Sequence, residues 1–321
     1  MITLGLALPH YDGFFPDPSI TGPARTRAAL AYAQRAEAAG FHQLWVSDHL
    51  WLDPGDGRRR HTPDCWALLA ALAASTHTIR LGSLVTPVPL RVPALLAHQV
   101  ATVSDVAGPR LDVGLGAGWH ATEFADAKRP FPPAAARLAA VEEAASTLRT
   151  RLGPSAPPLW IGGKRSGILA LTARVADGWN MAWDPTPETF SQRHKTLLAT
   201  AERHRTPGGL PPRSSVGLTT VLGADEEDLR RRWLRLRRWV PAGHLDTISF
   251  EHWRRRGLIG TPEQIRARLA TWEQLGVDHI VCALGIPFGL FDDDQIELLA
   301  AAVQQSDRSP LPQAPSEEEV E

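Results

Sequence analysis

Strand-like and helix-like segments alternate through nearly the whole chain, and that rhythm limits the fold more than any other feature. Strand candidates fall at 2–8, 42–47, 79–85, 111–116, 158–162, 178–183, 215–222 and 278–284. Helical patterns lie between them near 22–39, 64–76, 92–107, 134–150, 165–176, 187–204, 224–239 and 262–275, with a last helix at 292–304. Eight such repeats predict an α/β fold with the parallel sheet closed on itself, a (β/α)8 TIM barrel over residues 1–305. A doubly wound open sheet satisfies the same alternation. Helix punctuation agrees with the segment boundaries. Thr261-Pro-Glu-Gln264 places a capping residue before proline, with an acceptor three residues on. Gly40 and Gly276 stand where helices end in a left-handed residue. The tail at 306–321 is rich in Pro, Ser, Gln and Glu, has little to bury, and is expected to be mobile.

Composition removes several function classes. The net charge is −1 over 321 residues, which gives no electrostatic case for nucleic acid or an anionic membrane. No apolar run reaches the ~18–20 residues of a membrane span. The first nine residues lack the basic segment of a signal peptide and read as a strand, so a cytoplasmic location is expected. Cys65 and Cys282 are far apart and read as free thiols in a reducing compartment, and neither has metal-ligand spacing. No metal is expected. The excess of Arg over Lys reads as coding bias.

In barrels of this kind ligands bind at the C-terminal ends of the strands. The strand 79–85 stops at Thr86-Pro87, because proline cannot donate to a ladder. The strand 111–116 opens into Gly116-Ala-Gly-Trp-His120, with Glu123 beyond it. The strand 42–47 delivers Ser47, Asp48 and His49. A histidine there can exchange a proton near neutral pH, and Asp48 can bond a ring N–H. Alternatively, Asp48 caps a turn and His49 satisfies backbone groups. Leu159-Trp-Ile-Gly-Gly-Lys-Arg-Ser166 ends a strand in Gly162 and Gly163, then begins a helix behind Lys164 and Arg165. Bare amides, a helix N-terminus and two cations favour a phosphate. The same residues also suit an ordinary tight βα turn, and neither nucleotide-loop spacing is present. The arginine runs at 58–60, 230–232 and 254–256 read as solvated charge. Trp51, Trp119 and Trp183 lie near strand ends and are candidates to line a pocket.

Together these motifs resemble the luciferase-like monooxygenase superfamily, in particular its coenzyme F420-dependent branch. The resemblance rests on Leu44-Trp-Val-Ser-Asp-His49, Leu81-Gly-Ser-Leu-Val-Thr-Pro87, Leu115-Gly-Ala-Gly-Trp-His120, Ile161-Gly-Gly163, Ala176-Asp-Gly-Trp-Asn180 and Gly260-Thr-Pro-Glu263. It implies a barrel holding a deazaflavin, F420, or a flavin, FMN, at its C-terminal face. By that likeness Asp48 and His49 contact the ring, Ser83 and Leu84 back it across a cis Ser83–Leu84 peptide, and Gly118 borders the cofactor chain. Gly162, Gly163 and the amides after them, flanked by Lys164 and Arg165, hold the phosphate.

The activity implied is hydride exchange between F420 and a small organic substrate, with His49, or else His120, moving the proton. An FMN-dependent monooxygenase served by a flavin reductase, and a non-catalytic flavin-binding relative, are the alternatives. A homodimer is expected. Trp119 stands where the sugar-phosphate dehydrogenases of this branch carry Glu, which argues against a sugar phosphate. The connection at 149–157 is short where relatives carry a roofing insertion. That predicts a wide pocket, covered by the loop from His49 to Pro63.

Overall fold

In a computed structural model, which describes residues 2–205, 209–241 and 244–304, the sheet closes. Its eight parallel strands are β1 (Thr3–Ala7), β2 (Gln43–Val46), β3 (Arg80–Ser83), β4 (Leu111–Gly116), β5 (Leu159–Gly162), β6 (Gly178–Met181), β7 (Arg213–Leu222) and β8 (His279–Leu284). The decisive pairing is β8 with β1, in the register Thr3↔His279 to Leu6↔Cys282, which joins last strand to first. The open-sheet alternative is thereby excluded. The strands are buried on both faces because helices cover the outside, which is why they read as nearly continuous apolar runs.

Each strand and helix read from the sequence is present, displaced at its ends by a few residues at most. The capping box at Thr261 forms, and Gly40 and Gly276 both take φ +82° past their helices. Elements of two to six residues escaped the periodic reading. They are the hairpin of Trp51–Leu52 with Arg60–His61, the strands Thr86–Pro87 and Leu258–Gly260, the helices Ala121–Asp126 and Phe250–Arg254, and the single 3-10 turns Val88–Leu90, Gly108–Arg110 and Gly153–Ser155. None is long enough to display a period. The tail at 306–321 lies outside the described residues.

The barrel interior is filled, and its filling positions the site. Trp45 and Trp160 meet edge to face at 5.7 Å in the centre. Gly82 and Gly178 make room for them, since a Cβ at either would lie 2.6 Å and 2.3 Å from the respective indole. Below, at the starts of the strands, sits a polar layer. Buried Asp112 accepts from Gln43 Nε2 (2.7 Å), Arg80 Nε (2.9 Å) and Trp160 Nε1 (3.2 Å). His279 accepts from Trp45 Nε1 at 2.9 Å. Burial, reinforced by the nearby His42, Arg213 and Arg80, pushes His279 down to about 3, so it is neutral and can accept. This plug leaves the C-terminal ends of the strands as the open face.

Candidate active site

A cavity of about 1280 Å³ occupies that face, with side chains from every barrel connection around it. Its floor includes Tyr11, which belongs to a directed hydrogen-bond chain. His10 Nδ1 must donate to the Leu8 carbonyl (2.6 Å), so Nε2 accepts from Ser47 Oγ (2.9 Å), and Ser47 accepts from the Tyr11 hydroxyl (2.5 Å). Burial pushes His10 down to about 4, which keeps it in the neutral form this chain requires.

Asp48 and His49 follow β2 and both line the cavity. The Asp48 carboxylate is paired with Arg91, which also lies 3.4 Å from Asp64. Burial outweighs that pairing and raises Asp48 above the ordinary carboxylate range. His49 is held by Glu123, whose two oxygens lie 3.1 Å and 3.0 Å from Nδ1. Glu123 is nearly sealed, with 3% of its side chain exposed against 22% for His49. It also accepts from the Leu50 amide at 2.8 Å. Burial pushes Glu123 upward, but the His49 bond, the Leu50 amide and His120 overcome it, and its pKa is lowered. An ionised Glu123 only accepts, so the His49 Nδ1 carries hydrogen and Nε2 is the nitrogen left to exchange a proton.

The turn after β3 differs by one residue from the sequence expectation. The cis bond is Leu84–Val85, not Ser83–Leu84. The Leu84 amide still donates to Val46 at 2.7 Å, and Ser83 Oγ bonds both the amide and the carbonyl of Gly114 at 3.0 Å. The ladder therefore holds the Ser83–Leu84 peptide, and the chain departs only after it. A second cis bond, Ala182–Trp183, follows β6. Val85 then wedges over β4 and β5, where a Cβ on Gly116 would lie 2.4 Å and one on Gly162 2.9 Å from its methyl groups. These glycines thus accommodate a neighbouring side chain.

Of the ten residues proposed from the sequence, eight line the cavity: Asp48, His49, Leu84, Gly118, Gly162, Gly163, Lys164 and Arg165. Ser83 does not, because its hydroxyl is spent on β4. Nor does His120, which stands behind Glu123, stacked on Trp119 at 4.9 Å. Trp119 and Trp183 face the cavity, and Trp51 instead donates to Asp126 at 2.7 Å. The connection at 149–157 contributes nothing to the wall. It joins a helix end to the start of β5 and so lies at the opposite end of the barrel from the cavity. The His49–Pro63 loop contributes Leu52 and Pro54, and a second cover comes from Val240, Pro241, His244, Leu245, Ile248 and Trp253 after β7. Sequence reasoning missed that second cover, along with Tyr11, Asp184 and Arg256 on the wall. Asp184 is held by the Thr219 amide and hydroxyl, both at 2.7 Å, and burial raises its pKa. The His120-x-x-Glu123 spacing at a helix start was the available signal for Glu123.

The wall is chemically divided. On the arc after β4 and β5 lie Arg137, in the helix Ala134–Leu152, and Lys164 and Arg165, just before the helix Ser166–Val175. The opposite arc, after β7, β8 and β1, is mostly apolar, with Leu245, Ile248, Trp253, Ile286, Phe288 and Phe14, and carries Arg256 and His244 among them. A closed parallel barrel with a His–Glu pair and a cationic helix start around a cavity at the C-terminal ends of its strands defines a (β/α)8 protein whose candidate ligand site lies on that face. The chain belongs to the luciferase-like monooxygenase family, whose pattern it matches over residues 10–279.

It is 31% identical over 178 residues to an F420-dependent glucose-6-phosphate dehydrogenase of Beutenbergia cavernae, covering 48% of this chain and 52% of that one. It is 37% identical over 102 residues to an F420-dependent hydroxymycolic acid dehydrogenase of Mycobacterium tuberculosis, covering 32% of this chain and 28% of that one. The matches therefore span about half or less of these relatives' length. Among solved structures, an F420-dependent secondary alcohol dehydrogenase bound to an F420–acetone adduct superposes with a TM-score of 0.74 at 16% identity, over 94% of this chain and 98% of that one. An FMN-bound type II Baeyer-Villiger monooxygenase component from Pseudomonas putida gives 0.73 at 16% identity, over 97% and 99%. These two likenesses establish the fold.

Proposed function

We propose that the protein is an F420-dependent oxidoreductase acting on a small organic substrate. The carrying observation is the His49–Glu123 pair at the mouth of a cavity whose other side ends in a cationic helix start. The partial matches to F420-dependent enzymes support the choice of cofactor. The residues present suit such a group. The helix Ser166–Val175 has ten residues, the Arg165 carbonyl takes the Ile168 and Leu169 amides and leaves those of Ser166 and Gly167 for a ligand, and exposed Lys164 and Arg165 precede it. These groups would hold the phosphate, while Leu84 and Val85 back the ring.

When bound, F420 supplies the hydride chemistry at the deazaflavin C5. The protein supplies the rest. His49 Nε2 gives a proton to, or takes one from, the substrate heteroatom beside the ring. Glu123 fixes the tautomer and stabilises the imidazolium when it forms. The apolar residues of the arc after β7, β8 and β1 would take the non-reacting part of a hydrophobic substrate, while Trp119, where the sugar-phosphate dehydrogenases carry Glu, speaks against a sugar phosphate. Among the described residues no helix is long and apolar enough to cross a membrane. A cytoplasmic homodimer remains part of the proposal.

The FMN reading has the FMN-bound structural neighbour in its favour. Parallel fluorescence titrations of the apoprotein with F420 and FMN separate the two. Micromolar or tighter binding of F420 with none of FMN is expected. The reverse result overturns the proposal.

A further inference from the structure

Glu123 stands between two imidazoles that it does not satisfy equally. Its Oε2 is 3.0 Å from His49 Nδ1 and 3.4 Å from His120 Nδ1. The first contact is a hydrogen bond. The second is not, since His120 Nδ1 is buried without any hydrogen-bond partner. A buried, unbonded imidazole nitrogen beside a carboxylate is an unmet demand in a native structure. The ring is fixed in that position by the stack on Trp119 at 4.9 Å and by the edge contact with Trp51, also at 4.9 Å. His49, His120 and Glu123 thus bring one ligand atom each to within 4.8 Å of one another.

Two imidazoles and one carboxylate form a donor set of catalytic-type zinc sites, which keep a further position open. With bonds of about 2.1 Å and tetrahedral angles, ligand atoms of such a site sit ~3.4 Å apart. The two Glu123 contacts already have nearly that span, so only the gap between the histidines has to close. His49 and Glu123 line the cavity, which gives an open coordination position access to a ligand.

We propose that His49, His120 and Glu123 form a site for one divalent transition-metal ion, with zinc the best match. The proposal stands on this geometry and does not depend on which cofactor the cavity takes; the ion would replace the hydrogen on His49 Nδ1, so the metal and the His49–Glu123 hydrogen bond are alternative occupants of the pair. It assigns His120 a role that its position behind Glu123 denies it in proton transfer.

The test uses the full-length, untagged protein and zinc ion alone. Competition against a chromophoric chelator should show one ion per chain with micromolar or tighter affinity. His120→Gln should weaken it by more than the roughly ten- to a hundredfold that losing a residue merely bonded to a ligand costs, while retaining the wild-type circular dichroism spectrum. Cobalt added to the wild type should give the visible bands of a four- or five-coordinate site, and Glu123→Gln should abolish them. Absence of micromolar zinc binding overturns the proposal, as does an affinity unchanged in His120→Gln. Octahedral cobalt bands unaltered by Glu123→Gln overturn it as well. Because the readout is metal binding, failure of the F420 titration leaves this result intact, and the converse holds too.

Discussion

Acid should loosen this protein through two buried imidazoles. His10 and His279 are pushed down to about 4 and about 3, respectively, from the ordinary 6.5, chiefly because burial disfavours the charged form. In the unfolded chain both protonate near 6.5. Between that value and the folded values the unfolded state binds more protons, so stability falls as pH falls. It is fully present above pH 6.5 and is lost progressively below. At pH 5 each unfolded imidazole is one and a half units below its pKa while the folded one is still neutral. Each site therefore gives up about 2 kcal/mol relative to neutral pH, at 1.36 kcal/mol per unit, and the pair about 4 kcal/mol. Urea unfolding of the wild type and of His279→Gln at pH 7.5 and pH 5.0 measures this. The variant can still accept from the Trp45 indole through its amide oxygen, so it is expected to be less stable at both pH values but to lose about 2 kcal/mol less between them. An acid loss as large in His279→Gln as in the wild type would refute the reasoning. It would mean that His279 is already protonated in the fold, or that the plug admits water.

Three further outcomes are expected. His49→Ala should reduce turnover by roughly 10²- to 10⁴-fold with little change in F420 affinity, measured by steady-state kinetics and fluorescence titration. Gly116→Ala should cost about 1–3 kcal/mol in chemical denaturation, because the new methyl group must displace Val85, and it should weaken cofactor binding in proportion to the movement of the wedge. Gly163→Val should lower both the melting temperature and the cofactor affinity. Its φ of +144° suits glycine, and a Cβ there would also press on Ile168 at 3.1 Å.

The barrel was legible in the sequence because its eight strands and nine longer helices each carry enough residues to show a period. The helices also announce their ends, as Thr261-Pro262 and Gly276 do. What falls between them follows different rules. The second cover after β7 is irregular around the five-residue helix Phe250–Arg254, too short to show a period, and only the closed fold brings its apolar residues to the cavity. The turn after β3 is tied by a hydrogen bond from Leu84 to Val46, nearly forty residues away in sequence, a pairing that no local motif encodes. Asp48 and His49 could be placed from strand position alone. The Glu123 partner of His49 could not, because their proximity depends on how the helix Ala121–Asp126 settles against the loop after β2. The short connection at 149–157 was read as a missing roof because a loop's length is visible in sequence and the end of the barrel it lies on is not.

The wedge of Val85 has a mechanical consequence. Its methyl groups rest on backbone at Gly116 and Gly162, with no intervening side chain to yield. A rigid contact without a cushion transmits displacement. If the helix Ser166–Val175 behind β5, or Pro93–Ala107 before β4, slides by a fraction of an ångström, the strand carries that shift to Val85, and the surface presented to a planar ligand tilts with it. Substitutions on the outer helices, far from the cavity, therefore have a direct route to the shape of its floor. The barrel wall acts as a lever whose short arm ends at the cavity.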